Sequence, residues 1–124
     1  MIGMKVNDGG EQREFMDRCK AISMLHQETL WLLYSFAARN GRTVLEIGPY
    51  IGGSTVAIAS GLKAGRHAGS VLTVEAGTSY KARPHIPTSD TARDLRKNLC
   101  AFEVDHLVHV FTQWSVSRSL QEQI

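Results

Sequence analysis

The chain is predicted to be an α/β domain whose core is a half-sheet of three parallel strands in the order 3-2-1. Three observations carry that expectation. Thr43-Val44-Leu45-Glu46-Ile47 is a short apolar run that lacks polar alternation, which is how a strand covered on both faces reads. A glycine-studded turn, Gly48 to Gly53, follows it, and Ser54-Thr55 can then open a helix. Val71-Leu72-Thr73-Val74-Glu75 repeats the theme, a second buried strand closing on an acid. Strands that alternate with helical patterns imply parallel pairing and helical crossovers.

The elements follow in order. Residues 1–10 are polar and glycine-bearing and are expected to be a flexible arm. From Glu11 to Asn40, Phe15, Cys19, Ile22, Leu25 or His26, Thr29 or Leu30, Leu33 and Phe36 or Ala37 step by three and four. This spacing predicts one long N-terminal helix over 11–40 with a single apolar stripe. Asn40-Gly41 supplies a left-handed C-cap. A βαβαβ unit over 43–111 comes next. Its first helix is expected over Ser54–Leu62, with Val56, Ile58, Ala59 and Leu62 inward. Gly61, Gly65 and Gly69 lead to the second strand, and 76–87 reads as a loop with Pro84 and Pro87. The next helix is expected to start at Thr88 or Ser89 with Asp90 in its first turn. Ala92, Leu95, Leu99 and Phe102 would form its apolar face. His106 to Phe111 is the third strand. Residues 112–124 lack another apolar strand, although Ser119-Leu120-Gln121-Glu122 forms a capping box that announces a helix. The chain therefore reads as an α/β unit that stops as another begins.

Bulk properties narrow the function. At 124 residues the chain holds one domain. Its net charge of +2, with basic residues scattered along the chain, carries no nucleic-acid signature. The longest apolar run, Leu30 to Ala38, is too short to span a bilayer, and no secretory leader is expected. Cys19 and Cys100 lack metal spacing and are expected to be reduced thiols of a cytoplasmic protein. No metal centre is expected.

The glycine turn can be tested against three ligand chemistries. A phosphate-cradling loop needs GxxxxGK[ST]. Gly48 and Gly53 have that spacing, but Ser54 stands where the lysine should be. Glu46, two residues before the first glycine, would oppose phosphate further. A dinucleotide fingerprint needs GxGxxG, and here Tyr50 fills its second glycine position. S-adenosylmethionine carries no phosphate, and its sulfonium is a cation, so a carboxylate beside the turn suits it. Glycines at 48, 52 and 53 would let main-chain amides approach, and the helix opening at Ser54 would favour its carboxylate.

The segment VLEIGPYIGGST resembles motif I of class I S-adenosylmethionine-dependent methyltransferases, with a Rossmann-like fold. The closest branch is the O-methyltransferase-like one written ExGxxxGxS, whose positions match Glu46, Gly48, Gly52 and Ser54. VLTVEAG resembles motif II, which implies that Glu75 grips the ribose hydroxyls. HVFTQWS lies where the family makes adenine contacts. The family's acid after strand three is absent, and Gln113 and Trp114 stand there instead. Gln113 could hydrogen-bond the adenine and Trp114 could stack on it or simply pack. Tyr50 could line the methionine pocket or cover the turn.

The resemblance implies S-adenosylmethionine as cofactor and methyl transfer to an oxygen or nitrogen of a small molecule. Strands four and beyond, which would supply acceptor pocket and catalytic groups, have no counterpart here. The chain is thus expected to be a cofactor-binding half with little activity alone, its catalytic residues unknown. The alternative is a non-catalytic remnant or interaction module. Strand one would be an exposed apolar edge, expected to be covered by a second copy, a partner chain or the N-terminal helix. Of the histidines, His26, His67, His106 and His109 lie away from the predicted ligand. His85 alone lies near it, while Lys81 and Arg83 read as solvated.

Overall fold

The computed structural model describes residues 9–82, 85–114 and 121–122. Residues 1–8 of the predicted arm, Arg83, Pro84, and Ser119 and Leu120 of the capping box lie outside them, whereas Gly9 and Gly10, expected in the arm, open the first helix. The elements run α1 (Gly9–Ala21), α2 (Gln27–Asn40), β1 (Val44–Ile47), α3 (Gly53–Ala64), β2 (Val71–Glu75), α4 (Thr91–Ala101) and β3 (Val108–Thr112). A single 3-10 turn, Asp105–Leu107, precedes β3, which therefore starts two residues later than expected.

The three strands are parallel and ordered β1-β2-β3, the predicted 3-2-1 arrangement read from the opposite edge. Val44 pairs with Val71, which pairs with Val108, and this register carries through to Glu75 opposite Thr112. Side chains alternate across the sheet. One face therefore presents Val44, Glu46, Val71, Thr73, Glu75, Val108 and Val110. The other presents Leu45, Ile47, Leu72, Val74, His109 and Phe111.

The first face is the covered one. Val44, Val108 and Val110 pack against a core of Val56, Ala59, Leu62, Val71, Leu95 and Leu99 from α3, β2 and α4. On the second face, Leu45 is 45% exposed and Ile47 59% exposed. The expectation that the first strand is covered on both sides is thus corrected. Both crossovers run in one direction along the sheet, and right-handed connections of that kind lay their helices on the same side.

The long N-terminal helix is also corrected, because it is two helices. The ladder breaks after Ala21, where Ser23 Oγ accepts a hydrogen bond from the Leu25 N–H at 3.0 Å. A serine bonding its own neighbouring backbone offers an alternative to helix. Ser23 is buried, and its backbone lies so close to Gly53 that a side chain there would overlap it. The turn lets α1 fold back, placing Phe15 5.4 Å from Tyr34 and 6.1 Å from Phe102, ring centre to ring centre. The apolar stripe of sequence continued across the break because both helices bury their stripes against the same core. The left-handed cap is present: Gly41 has φ of 64° and donates to Ala37 O at 3.0 Å.

Helix α2 packs on α3 at very short range. A Cβ at Gly61 would fall 2.3 Å from Tyr34 O. Helix α4 begins later than expected because Thr88 is engaged elsewhere, in a two-way backbone bridge with Tyr80, 2.8 Å in each direction. Asp90 is the N-cap, accepting from the Arg93 N–H at 3.1 Å. Among the described residues β1 is an edge strand of the sheet, and α1 and α2 pack chiefly on α3 and on each other. None of the helices is long and apolar enough to cross a membrane among the described residues.

Candidate functional site

The C-terminal rim of the sheet gathers most of the predicted residues. The ladder continues past β1 through the Gly48 N–H, which donates to Val74 O at 3.0 Å. Gly48 then turns left-handed, with φ of +76°, and a Cβ added there meets nothing within 4 Å. It is the one motif glycine that faces open space. Gly52, with φ of +109°, closes the turn by donating to Pro49 O at 3.0 Å, and its carbonyl accepts from Val56 at 2.8 Å. Gly52 packs beneath Leu95 and Gly53 against Ser23, so both serve close packing. Of the three glycines, Gly48 alone has open space where a side chain would stand.

The turn is tied from two sides. Asn98 Nδ2 of α4 donates to Ile51 O at 2.7 Å. Tyr50, a non-glycine residue at φ of 60°, donates its hydroxyl to Ile86 O. Such a backbone costs of order 1–3 kcal/mol and persists where surroundings over-determine it. Here Tyr50 packs edge-on against Tyr80 at 5.5 Å, and Tyr80 stacks on His85 at 4.2 Å. Burial raises the Tyr50 phenol above its ordinary value, with Tyr80 and Asp94 adding to it. Thr88 donates its hydroxyl to Asp94, which holds that carboxyl below its ordinary value. Residues 78–82 and 85–90 are thus tied to each other and to the glycine turn.

Each strand-ending acid is held by hydroxyls from the first turn of the helix that follows it. Glu46 accepts from Ser54 Oγ and, at 2.5 Å, from Thr55 Oγ1, both of α3; Thr73 Oγ1 of β2 adds a third bond at 2.8 Å. Glu75 is 6% exposed. Its Oε2 accepts from Thr91 Oγ1 of α4 at 2.6 Å and from the Gly77 N–H at 3.0 Å. Glu75 stands two residues beyond the register partner of Glu46 and on the same face. A strand spacing of ~4.8 Å and a two-residue rise of ~6.6 Å put their Cα atoms about 8 Å apart. The two acids are neighbours on one rim.

Gln113 joins the rim through its backbone N–H, which donates to Glu75 O at 3.1 Å. Trp114 follows at 78% exposure, so its ring is available at the rim and does not serve the core. Of the histidines, only His85 belongs to this region. His67 lies at the opposite end, its Nε2 2.6 Å from Ala38 O, and His26, His106 and His109 are exposed. Lys81 is exposed. The described residues include no cluster able to hold a metal ion.

Sequence reasoning missed Thr55, Thr73, Thr91, Asn98 and Tyr80. The signal for the threonines was present, since a polar residue in an otherwise apolar strand or first helical turn needs a buried partner. Asn98 and Tyr80 act across 47 and 30 positions of chain and had no local signature.

No family model matches the chain, and no curated protein does. Solved structures do match. The O-methyltransferase from Bacillus cereus in complex with SAH is 23% identical at a TM-score of 0.58, over 96% of this chain and 50% of that one. TomG from Streptomyces achromogenes, an O-methyltransferase involved in tomaymycin synthesis and solved with SAM, is 20% identical at a TM-score of 0.55, over 95% and 47%. The SAH-bound Podospora anserina methyltransferase PaMTH1 is 16% identical at 0.56, over 98% and 56%. The chain spans about half the length of these structures. The likeness establishes the fold: that of S-adenosylmethionine-dependent O-methyltransferases, across roughly half its extent.

Proposed function

We propose that this chain is the S-adenosylmethionine-binding half of a methyltransferase, whose full reaction moves a methyl group to an oxygen or nitrogen of a small molecule. One observation carries the reading: Glu46 and Glu75 close adjacent parallel strands on one face, with the open left-handed Gly48 beside them. The neighbours solved with SAM or SAH support it, since their fold is the one seen here.

The residues fit such a ligand. The Oε2 atom of Glu75 is committed to Thr91 and Gly77, which fixes the carboxylate and leaves Oε1 to accept ribose hydroxyls. Gly48 lets the main chain meet the methionine end at contact distance. Helix α3 leaves its first N–H groups without intrahelical acceptors, and Gly52 has no side chain to cap them, so they can receive a carboxylate. Tyr50 walls this end, while Gln113 and Trp114 offer an edge and a ring to adenine. When bound, S-adenosylmethionine supplies an electrophilic methyl group on a cationic sulfur. The chain's own share is to hold that sulfur in line for a nucleophile, and positioning of this kind supplies much of such a rate enhancement. The acceptor pocket would come from sequence continuing the sheet beyond the free edge of β1, from a second copy or from a partner chain. The free thiols, Cys19 buried and Cys100 exposed, suit a cytoplasmic setting.

A second reading has its own support. All three bonds to Glu46 come from protein hydroxyls and Glu75 is nearly buried, so both acids could simply staple strands to helices in an interaction module. Calorimetry of the chain with S-adenosylhomocysteine, NAD and ATP separates the two. Binding of the first alone, in the micromolar range, is expected; heat from none of the three would favour the module.

A further inference from the structure

We propose that the outward face of α2 is a twofold interface, on which a second copy of this chain seats its own α2 antiparallel to the first. The proposal is independent of the adenosyl reading above and would stand if the rim bound nothing. Helix α2 is apolar on two sides. Leu30 and Ala37 are buried, and Trp31, Leu33 and Tyr34 pack partly into the same core. Leu25, just before the helix, and Leu32 and Phe36 within it point the other way, with Leu32 62% and Phe36 60% exposed. Spacings of seven and four residues align the three in one stripe. A helix that is apolar all round belongs between two layers. Among the described residues α3 and α1 supply the inner layer, and the outward stripe has no cover. An exposed apolar patch of this kind marks an interaction surface.

Charge says what covers it. Glu28 and Arg39 are both exposed, and neither forms an ion pair among the described residues. A twofold axis level with Tyr34 brings Leu32 of each copy against Phe36 of the other. Glu28 then stands six residues from the axis and Arg39 five, on opposite sides of it. Antiparallel pairing therefore lays each Glu28 beside Arg39 of the second copy, level to within ~1.5 Å, the rise of one residue. The two also share a flank of the stripe. At 3.6 residues per turn, Glu28 lies ~40° and Arg39 ~20° from Leu32, on the side away from Phe36. Rotation about the twofold keeps these flanks matched, so the pair forms twice, as an isologous interface requires. A parallel pair would instead set Glu28 against Glu28 and Arg39 against Arg39, which like charge disfavours. The face is complementary to itself in one orientation only.

Sedimentation equilibrium of the full chain tests this. One helix pair buries less than the ~800 Å² per partner of tight complexes, so a dimer with a Kd of about 1–100 μM is expected. Leu32→Asp should remove the dimer and leave the circular dichroism of the monomer intact, since Leu32 lies outside the core. Glu28→Lys alone should weaken association about tenfold, because two attractive contacts become repulsive. Adding Arg39→Glu should return it to within about threefold of the native chain. A native chain that stays monomeric to ~1 mM overturns the proposal and leaves the face to a different polypeptide. A dimer that survives Leu32→Asp, or that Leu45→Lys on β1 dissolves instead, overturns it as well, and so does a double charge exchange that rescues nothing.

Discussion

Replacing Glu75 with alanine is expected to weaken S-adenosylhomocysteine binding about a hundredfold. Two ribose hydroxyls donating to a charged acceptor contribute about 1.5 kcal/mol or more each, and every 1.4 kcal/mol is tenfold. The geometry justifies the full figure because the carboxylate is held in place before any ligand arrives. Thr91 Oγ1 at 2.6 Å and the Gly77 N–H at 3.0 Å hold one oxygen, so little order is lost on binding. Thr91→Val should leave the charge but free the side chain, costing about tenfold by the same reasoning. Calorimetry measures both. A folded Glu75→Ala protein with native affinity would remove Glu75 from the ligand and leave it a staple between β2 and α4.

Gly61→Ala should lower the melting temperature, although helix propensity alone argues the reverse. Alanine in place of a mid-helix glycine is worth about 1 kcal/mol of stabilisation when nothing else changes. At this position the new Cβ would lie 2.3 Å from Tyr34 O and 2.9 Å from Ala37 Cβ. Both are atoms of α2 that cannot rotate aside, so the helices must separate. Overpacking of this kind costs about 1–3 kcal/mol, and parting two helices that share a core falls at the upper end. The contact outweighs the propensity. Thermal denaturation followed by circular dichroism decides it, and a melting point at or above that of the native chain would show that α2 and α3 have slack.

The strands were legible because each announces itself within five residues. Val71 to Glu75 is β-branched, apolar and closed by an acid, and the structure places β2 on those residues. The cap at Gly41 was equally local. What stayed hidden was set by contacts between distant parts of the chain. Nothing in Ile22-Ser23-Met24 breaks a helix by propensity, and the break follows from burial of Ser23 against Gly53. The open outer face of β1 was misread for a related reason. Apolar residues at 45 and 47 look identical in sequence whether a helix covers them or not. The candidate site divides in the same way. Glu46, Gly48 and Glu75 were recognisable from spacing. Thr73 and Thr91, which hold the acids still, belong to other elements and entered only through the fold.

A strand left bare on one side has a calorimetric signature. The heat capacity gained on unfolding scales with the oily area that unfolding newly wets. Leu45 and Ile47 are already wet in the native state, so melting has less such area left to release. The stability curve of this chain is therefore flatter than that of a fully jacketed domain of equal length, and cooling erodes its stability less.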